Sequence, residues 1–132
     1  MIKINMINNF LIINCIGKDD KLGLRINKEF FISNLDKKKN LNQSLVSEIL
    51  NFLKSHKAIL DKNFSVIVNQ GPGSFSRIRI SLAIAKGLEI SKKVKLFGFK
   101  DNDLKLFDQE NIEKLLNQNL IEKKLIKPIY LS

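Results

Sequence analysis

The sequence predicts an α/β domain built on a five-stranded mixed sheet, and three observations support that prediction. Short β-branched or aromatic runs alternate with longer segments of helical periodicity between residues 10 and 99. Their order, strand-strand-strand-helix-strand-helix-strand, places both helices in crossover connections. A glycine-rich corner, Gln-Gly-Pro-Gly-Ser-Phe-Ser at Gln70 to Ser76, stands where an apolar strand hands over to a helix. A chain of 132 residues has room for one sizeable core.

Each element has its own signal. Phe10 to Cys15 is a compact apolar run, and Leu22 to Ile26 and Phe30 to Leu35 are two more. Between the last two, Asn27-Lys28-Glu29 supplies three polar residues suited to a hairpin. After the loop Asp36 to Asn40, apolar residues recur at Leu41, Leu45, Val46, Ile49, Leu50, Phe52 and Leu53, which predicts a helix over about 42–57. Ser65 to Val68 is a β-branched run of the kind buried on both faces. The corner follows, then a helix over about 75–91, then Val94 to Phe99 as the fifth strand. Strands four and five are expected to run parallel to their predecessors. A helix from about Gln109 is predicted by Ile112, Leu115, Leu116 and Leu120, and Pro128 makes the last residues extended. Residues 1–100 therefore read as the domain, and 101–132 as a short helix and tail packing on it.

Composition narrows the function classes. Hydrophobic residues at 44% and charged residues at 27% are ordinary for a globular protein. Apolar runs no longer than Phe10 to Ile13 are far too short to span a bilayer. Asn interrupts the N-terminal apolar residues, which speaks against a signal peptide and predicts a cytoplasmic protein. The formal charge of +10 would suit tRNA. Its lysines are scattered, however, with small clusters only at Lys37 to Lys39, Lys92 and Lys93, and Lys123 and Lys124. One Tyr and no Trp give no obvious stacking platform. The single Cys15 reads as a buried thiol.

The corner does not fit the chemistries that use glycine loops. A Walker loop needs Gly-Lys-Ser/Thr five residues after its first glycine, but the positions after Gly71 and Gly73 hold Ser76-Arg77 and Ile78-Arg79. A dinucleotide fingerprint needs glycine where Ser76 stands. Ser74 lacks the flanking pattern of a nucleophile elbow, and His56, the only histidine, is remote in sequence. One His and one Cys supply no metal-ligand set, so no cofactor or metal is expected. What Gly71, Pro72, Gly73 and Ser74 satisfy is geometry: a stiff turn, with Ser74 or Ser76 able to cap the next helix and Arg77 and Arg79 able to attract an anion there. That next helix has nearly two apolar faces, Ile78, Leu82 and Ala85 on one and Ile80, Ile84 and Leu88 on another. Ser81, Ala83, Ala85 and Gly87 keep it slim. One face covers the sheet; the other is covered by the neighbouring helix or by a partner.

Gly71-Pro72-Gly73-Ser74-Phe75-Ser76, then Arg79-Ile80, Ala83 and Ala85-Lys86-Gly87-Leu88, resembles the signature of the TsaB family, also called YeaZ. Leu11 to Gly17 lies at that family's first strand, Leu41 to Leu53 at its leucine-rich helix, and Lys127 to Leu131 resembles its proline-tyrosine-leucine ending. The resemblance implies half of an actin/sugar-kinase/heat-shock ATPase (ribonuclease H-like) fold and a non-catalytic role. It implies pairing with a TsaD-like catalytic subunit through helices 42–57 and 75–91, and a TsaE-like ATPase in a larger complex. That complex places a threonylcarbamoyl group on the adenosine beside the tRNA anticodon. Interface residues implied are Ile49, Phe52, Phe75, Ile78, Arg79, Leu82, Ala83 and Lys86, with a homodimer as the assembly in isolation and only indirect tRNA contact.

There are departures. Asn14 stands for the first-strand Asp, Arg77 for a Gly after the corner, and Ser81 for another Gly. Residues 101–132 are too few for the family's second domain. Two other classes are weighed against the scaffold: a small hydrolase or peptidase using Ser74 or Cys15, and a free-standing basic tRNA-binding module.

Overall fold

The computed structural model describes residues 8–35, 41–118, 121–123 and 126–129, with the side chains of 41–44 excepted. The expected loop 36–40 with Lys37 to Lys39, the side chains of Leu41 and Asn42, Leu120, Lys124 and the Tyr130-Leu131 ending lie outside the described residues.

Strands β1 (Asn9–Asn14), β2 (Lys21–Ile26) and β3 (Glu29–Asn34) form an antiparallel meander. Helix α1 (Leu41–Ser55) leads to β4 (Phe64–Asn69), and α2 (Phe75–Lys92) to β5 (Lys95–Phe99). A 3-10 turn at Asp101–Asp103 precedes α3 (Gln109–Asn117), and β6 (Ile121–Glu122) ends the sheet. The strand order is β3-β2-β1-β4-β5-β6, with β4 parallel to β1 and β5 parallel to β4. The α1 crossover thus carries the chain from the edge strand to the far side of β1.

Two expectations need correction. The sheet has six strands rather than five, because Ile121 pairs with Phe99 in antiparallel register and packs on the same core. The helical spacing read through Leu120 stops at Asn117, where Gln118 caps the helix. The hairpin is also tighter than three residues: Asn27 and Lys28, with φ of 51° and 72°, make the turn, and Glu29 already pairs with Ile26. Two consecutive left-handed residues match the strand twist of a two-residue hairpin.

Alternation along the strands sorts the core into two layers. Leu11, Ile13, Val66, Val68, Leu22 and Leu24 point to α1 and α2, meeting Leu45, Ile49, Ile78, Leu82 and Ala85. Phe10, Ile12, Ile67, Phe97 and Phe99 point to the opposite face, where α3 supplies Ile112, Leu115 and Leu116. Both crossover helices lie on one face because the two connections step across the sheet in the same direction. Among the described residues, no helix is long and apolar enough to cross a membrane.

Candidate functional site at the strand ends and the paired helices

The carboxyl ends of β1 and β4 bring three loops together. Asn14, at the end of β1, is buried and accepts a hydrogen bond from Asn69 Nδ2 at 2.7 Å. The same amide group of Asn69 donates to Asp101 Oδ1 at 3.1 Å, while Asn69 Oδ1 accepts from the Gly71 amide at 2.8 Å. This polar chain crosses the ends of three adjacent parallel strands and anchors the corner. Gly71 takes φ of 99°, a left-handed conformation that a side chain resists, and a Cβ there would lie 2.7 Å from the Ile129 carbonyl. The Gly71-Pro72 bond is cis.

Across the corner lies the β1–β2 loop. The amides of Ile16, Gly17 and Lys18 all donate to Asp20 Oδ1, at 3.1, 2.8 and 3.1 Å. Arg77 Nη1 donates to Asp20 Oδ2 at 2.7 Å, and the Cys15 thiol lies 3.7 Å from the same oxygen. Asp20 is only 3% exposed, so its charge is held by the loop amides and by Arg77. Ser74 N donates to Ile16 O at 2.7 Å, which ties this loop to the start of α2. Burial, reinforced by the Asp20 charge, pushes the Cys15 thiol up to about 12. A thiol so poised is protonated at neutral pH and a poor nucleophile.

Ser74 stands at the N-cap position of α2, but its hydroxyl makes no cap hydrogen bond and faces the Ser76 hydroxyl at 3.5 Å. The expected cap is therefore corrected. His56 stacks on Phe31 at 3.9 Å and meets the edge of Phe52 at 5.3 Å. That places it beyond the C-terminus of α1, at the end of the sheet where β4 begins, whereas Ser74 lies where β4 ends. The strand separates the two residues, so no Ser-His pair forms. Among the described residues, no group of three His, Cys, Asp or Glu side chains could hold a metal ion.

The outer surface of α1 and α2 is the other feature. Val46, Ile49, Leu50, Ile84, Gly87, Leu88 and Ser91 line an apolar groove of about 320 Å³ between the helices. Val46 is 40% and Leu50 50% exposed. On the opposite flank of α2, Phe75 is 55% exposed, and Arg79 lies over its ring at 5.0 Å. Arg79, Leu82, Ala83, Lys86 and Pro128 line a second, shallower depression.

No protein-family model and no curated protein matches the sequence. Solved structures do match. YeaZ from Pseudomonas aeruginosa superposes with a TM-score of 0.66 at 15% identity, over 74% of this chain and 46% of that one. An uncharacterized protein described as similar to peptidase YEAZ from Pseudomonas aeruginosa gives 0.65 at 15% identity, over 74% and 45%. The fold is that of YeaZ. The chain spans less than half the length of these YeaZ structures, and the likeness concerns the fold.

Within the YeaZ-like fold, the residues singled out from the sequence divide by burial. Gly71, Pro72, Gly73 and Ser74 link β4 to α2. Ile49 and Ile78 are fully buried, and Phe52 and Leu82 nearly so, inside this chain's own core. Phe75, Arg79, Ala83 and Lys86 reach the surface of α2. Val46, Leu50, Ile84 and Gly87, which line the groove, were not among the sequence candidates. The signal for them was present in the helical spacing: i, i+4 and i+3 steps link Val46 to Leu50 and Ile84 to Gly87. Asp20 was missed as well, since a single aspartate in a loop has no periodicity to mark it.

Proposed function

We propose that this protein is an accessory subunit that scaffolds a TsaD-like catalytic partner in threonylcarbamoylation of tRNA, itself contributing no catalytic group. The observation that carries the reading is the unpartnered apolar groove between α1 and α2, on a fold like that of YeaZ. Ile80, Ala83, Ile84, Gly87 and Ile90 lie on the side of α2 turned away from the sheet. A Cβ at Gly87 would meet nothing within 4 Å, so a helix could approach the backbone closely there. Val46 and Leu50 extend the apolar surface across α1. Arg79 and Lys86 lie in the separate depression on the opposite flank of α2, where their positive charge would suit an acidic patch on a partner that wraps round the helix. The two-domain actin/sugar-kinase/heat-shock ATPase relationship, the TsaE-like ATPase, a homodimer in isolation and cytoplasmic residence belong to this same proposal. The inert Cys15 and the separation of Ser74 from His56 favour it over a hydrolase of the peptidase kind.

The test is co-purification with the TsaD of the same organism. Val46→Asp and Leu50→Asp, at positions 40% and 50% exposed, should weaken association by roughly 30-fold or more, as loss of an interface anchor worth about 2 kcal/mol does. Ser74→Ala should leave tRNA modification intact. Binding unaffected by both aspartates sinks the scaffold, and loss of modification in Ser74→Ala would revive the hydrolase. A tRNA affinity that needs no protein partner and collapses with salt would support the free-standing module instead.

A further inference from the structure

Three backbone amides converging on one oxygen are a well-formed anion site. In the β1–β2 loop, Gly17 at φ 94° and Asp19 at φ 51° turn the chain so that the amides of Ile16, Gly17 and Lys18 face one point. Arg77 approaches the adjacent position, that of the second carboxylate oxygen Oδ2, from α2, a different element. The group that fills the site is the carboxylate of Asp20, two residues further along the chain from Lys18. We infer that this loop and Arg77 form a receptor for a small oxyanion whose resident ligand is the chain's own Asp20 side chain.

The receptor is held in place by contacts that do not involve that carboxylate. Ser74 N binds Ile16 O, and Asn14 Nδ2 reaches Asp19 O at 3.4 Å. A Cβ on Gly73 would collide with Ile16 at 2.7 Å, so the loop and the corner pack without a gap. Arg77 projects from an 18-residue helix fixed on the sheet. Removing the carboxylate therefore leaves three aligned donors and a guanidinium with no acceptor. The Ile16 amide is buried, whereas Gly17 and Lys18 are exposed and Arg77 is partly so; water can reach some of the vacated donors, but an external anion satisfies all of them and pairs the cation at the same time. A cavity of about 170 Å³ borders the loop, and Lys18, Lys21 and Lys105 outnumber Asp19 and Asp101 on its walls. The excess is one positive charge, on walls that adjoin the loop at Ile16 and Lys18.

In the natural chain the tethered carboxylate competes at a high effective concentration, so free anions are excluded. The loop is closed to phosphate by occupancy rather than by lack of donors. This goes beyond the scaffold proposal and does not depend on it.

The experiment follows the backbone amides of Ile16, Gly17 and Lys18 by NMR during titration with sodium formate, and separately with sodium phosphate, at constant ionic strength set by chloride. The natural chain, Asp20→Ala, and Asp20→Ala combined with Arg77→Gln are compared. In Asp20→Ala the three amides should shift saturably, at a concentration at least about tenfold below any response of the natural chain, and the double variant should lose that response. Response to formate alone marks a carboxylate-sized receptor, response to phosphate a tetrahedral one, and either sustains the inference. No saturation in folded Asp20→Ala up to about 100 mM anion, or an equal response from the natural chain, overturns it. If Asp20→Ala does not fold in chloride, melting curves in formate and phosphate replace the titration. Recovery of folding in either anion supports the receptor, and none at matched ionic strength refutes it.

Discussion

Cys15 is a thiol that chemistry cannot reach while the chain is folded. Its raised pKa has burial as first cause and the Asp20 carboxylate as second, with Arg77 opposing. The sign follows: the folded state prefers the neutral thiol, so this group leaves stability untouched below the ordinary thiol pKa of 9.0. Stability then falls as pH rises from there towards about 12. Alkylation at pH 8 should be negligible in the folded protein and fast in urea, so labelling kinetics will track global or local opening; prompt labelling of the folded chain would contradict the burial. Gly23 is the second residue with a sharp expectation. A Cβ there would lie 2.7 Å from Ile12 Cγ2 and 3.1 Å from the ring tips of Phe30 and Phe107. Gly23→Ala should therefore destabilise by about 1–3 kcal/mol through overpacking, read as a lowered urea midpoint. An unchanged midpoint would mean that Ile12 and the two rings all move aside freely.

At the scale of elements, α3 has a side-chain N-cap that α2 lacks. Asp108 accepts from both the amide and the side chain of Asn111 at 2.8 Å, and these bonds hold its carboxyl below the usual carboxylate range. A depressed pKa stabilises above the unfolded value and loses that contribution as pH falls through the folded one. Asp108→Ala should thus lower stability at neutral pH, with the difference shrinking in acid; a pH-independent difference would assign the effect to packing. The helices and long strands were readable because burial imposes a period, as in Leu45, Ile49 and Phe52 or Ile78, Leu82 and Ala85. β6 was not, since two residues carry no period and its place is set by Phe99 beside it. Both apolar faces of α2 could be read, but not which of them stays free. Ile78 and Ile84 are equally apolar, and only the position of α1 decides which one is buried.

For the whole molecule, the sheet separates two cores of unequal kind. The α1–α2 side includes Ile126, which is 3% exposed and follows α3 and β6 in sequence, so the chain returns to that face after crossing the other. Ile126→Ala should cost about 2–4 kcal/mol, with the loss visible in thermal melting and in faster amide exchange at Gln70 and Gly71. Slow exchange there would show that the segment 126–129 is dispensable to the corner. The candidate site was only half readable at this scale. The corner announced itself through Gly71, Pro72 and Gly73, but the loop that faces it is joined by contacts between residues 57 apart, such as Arg77 with Asp20, which no local pattern encodes.

The same segment that brings Ile126 home also closes the corner with backbone bonds: Ile129 N donates to Gln70 O at 2.7 Å, and Gln70 Nε2 donates to Lys127 O at 3.0 Å. On a ribosome that emits about 5–20 residues each second, residues 70–73 leave the exit well before 126–129 are made. For those seconds the corner that aims α2 lacks its final bonds at Gln70, so the start of the helix is less firmly held. Order of synthesis therefore bears on when this helix is fixed in place.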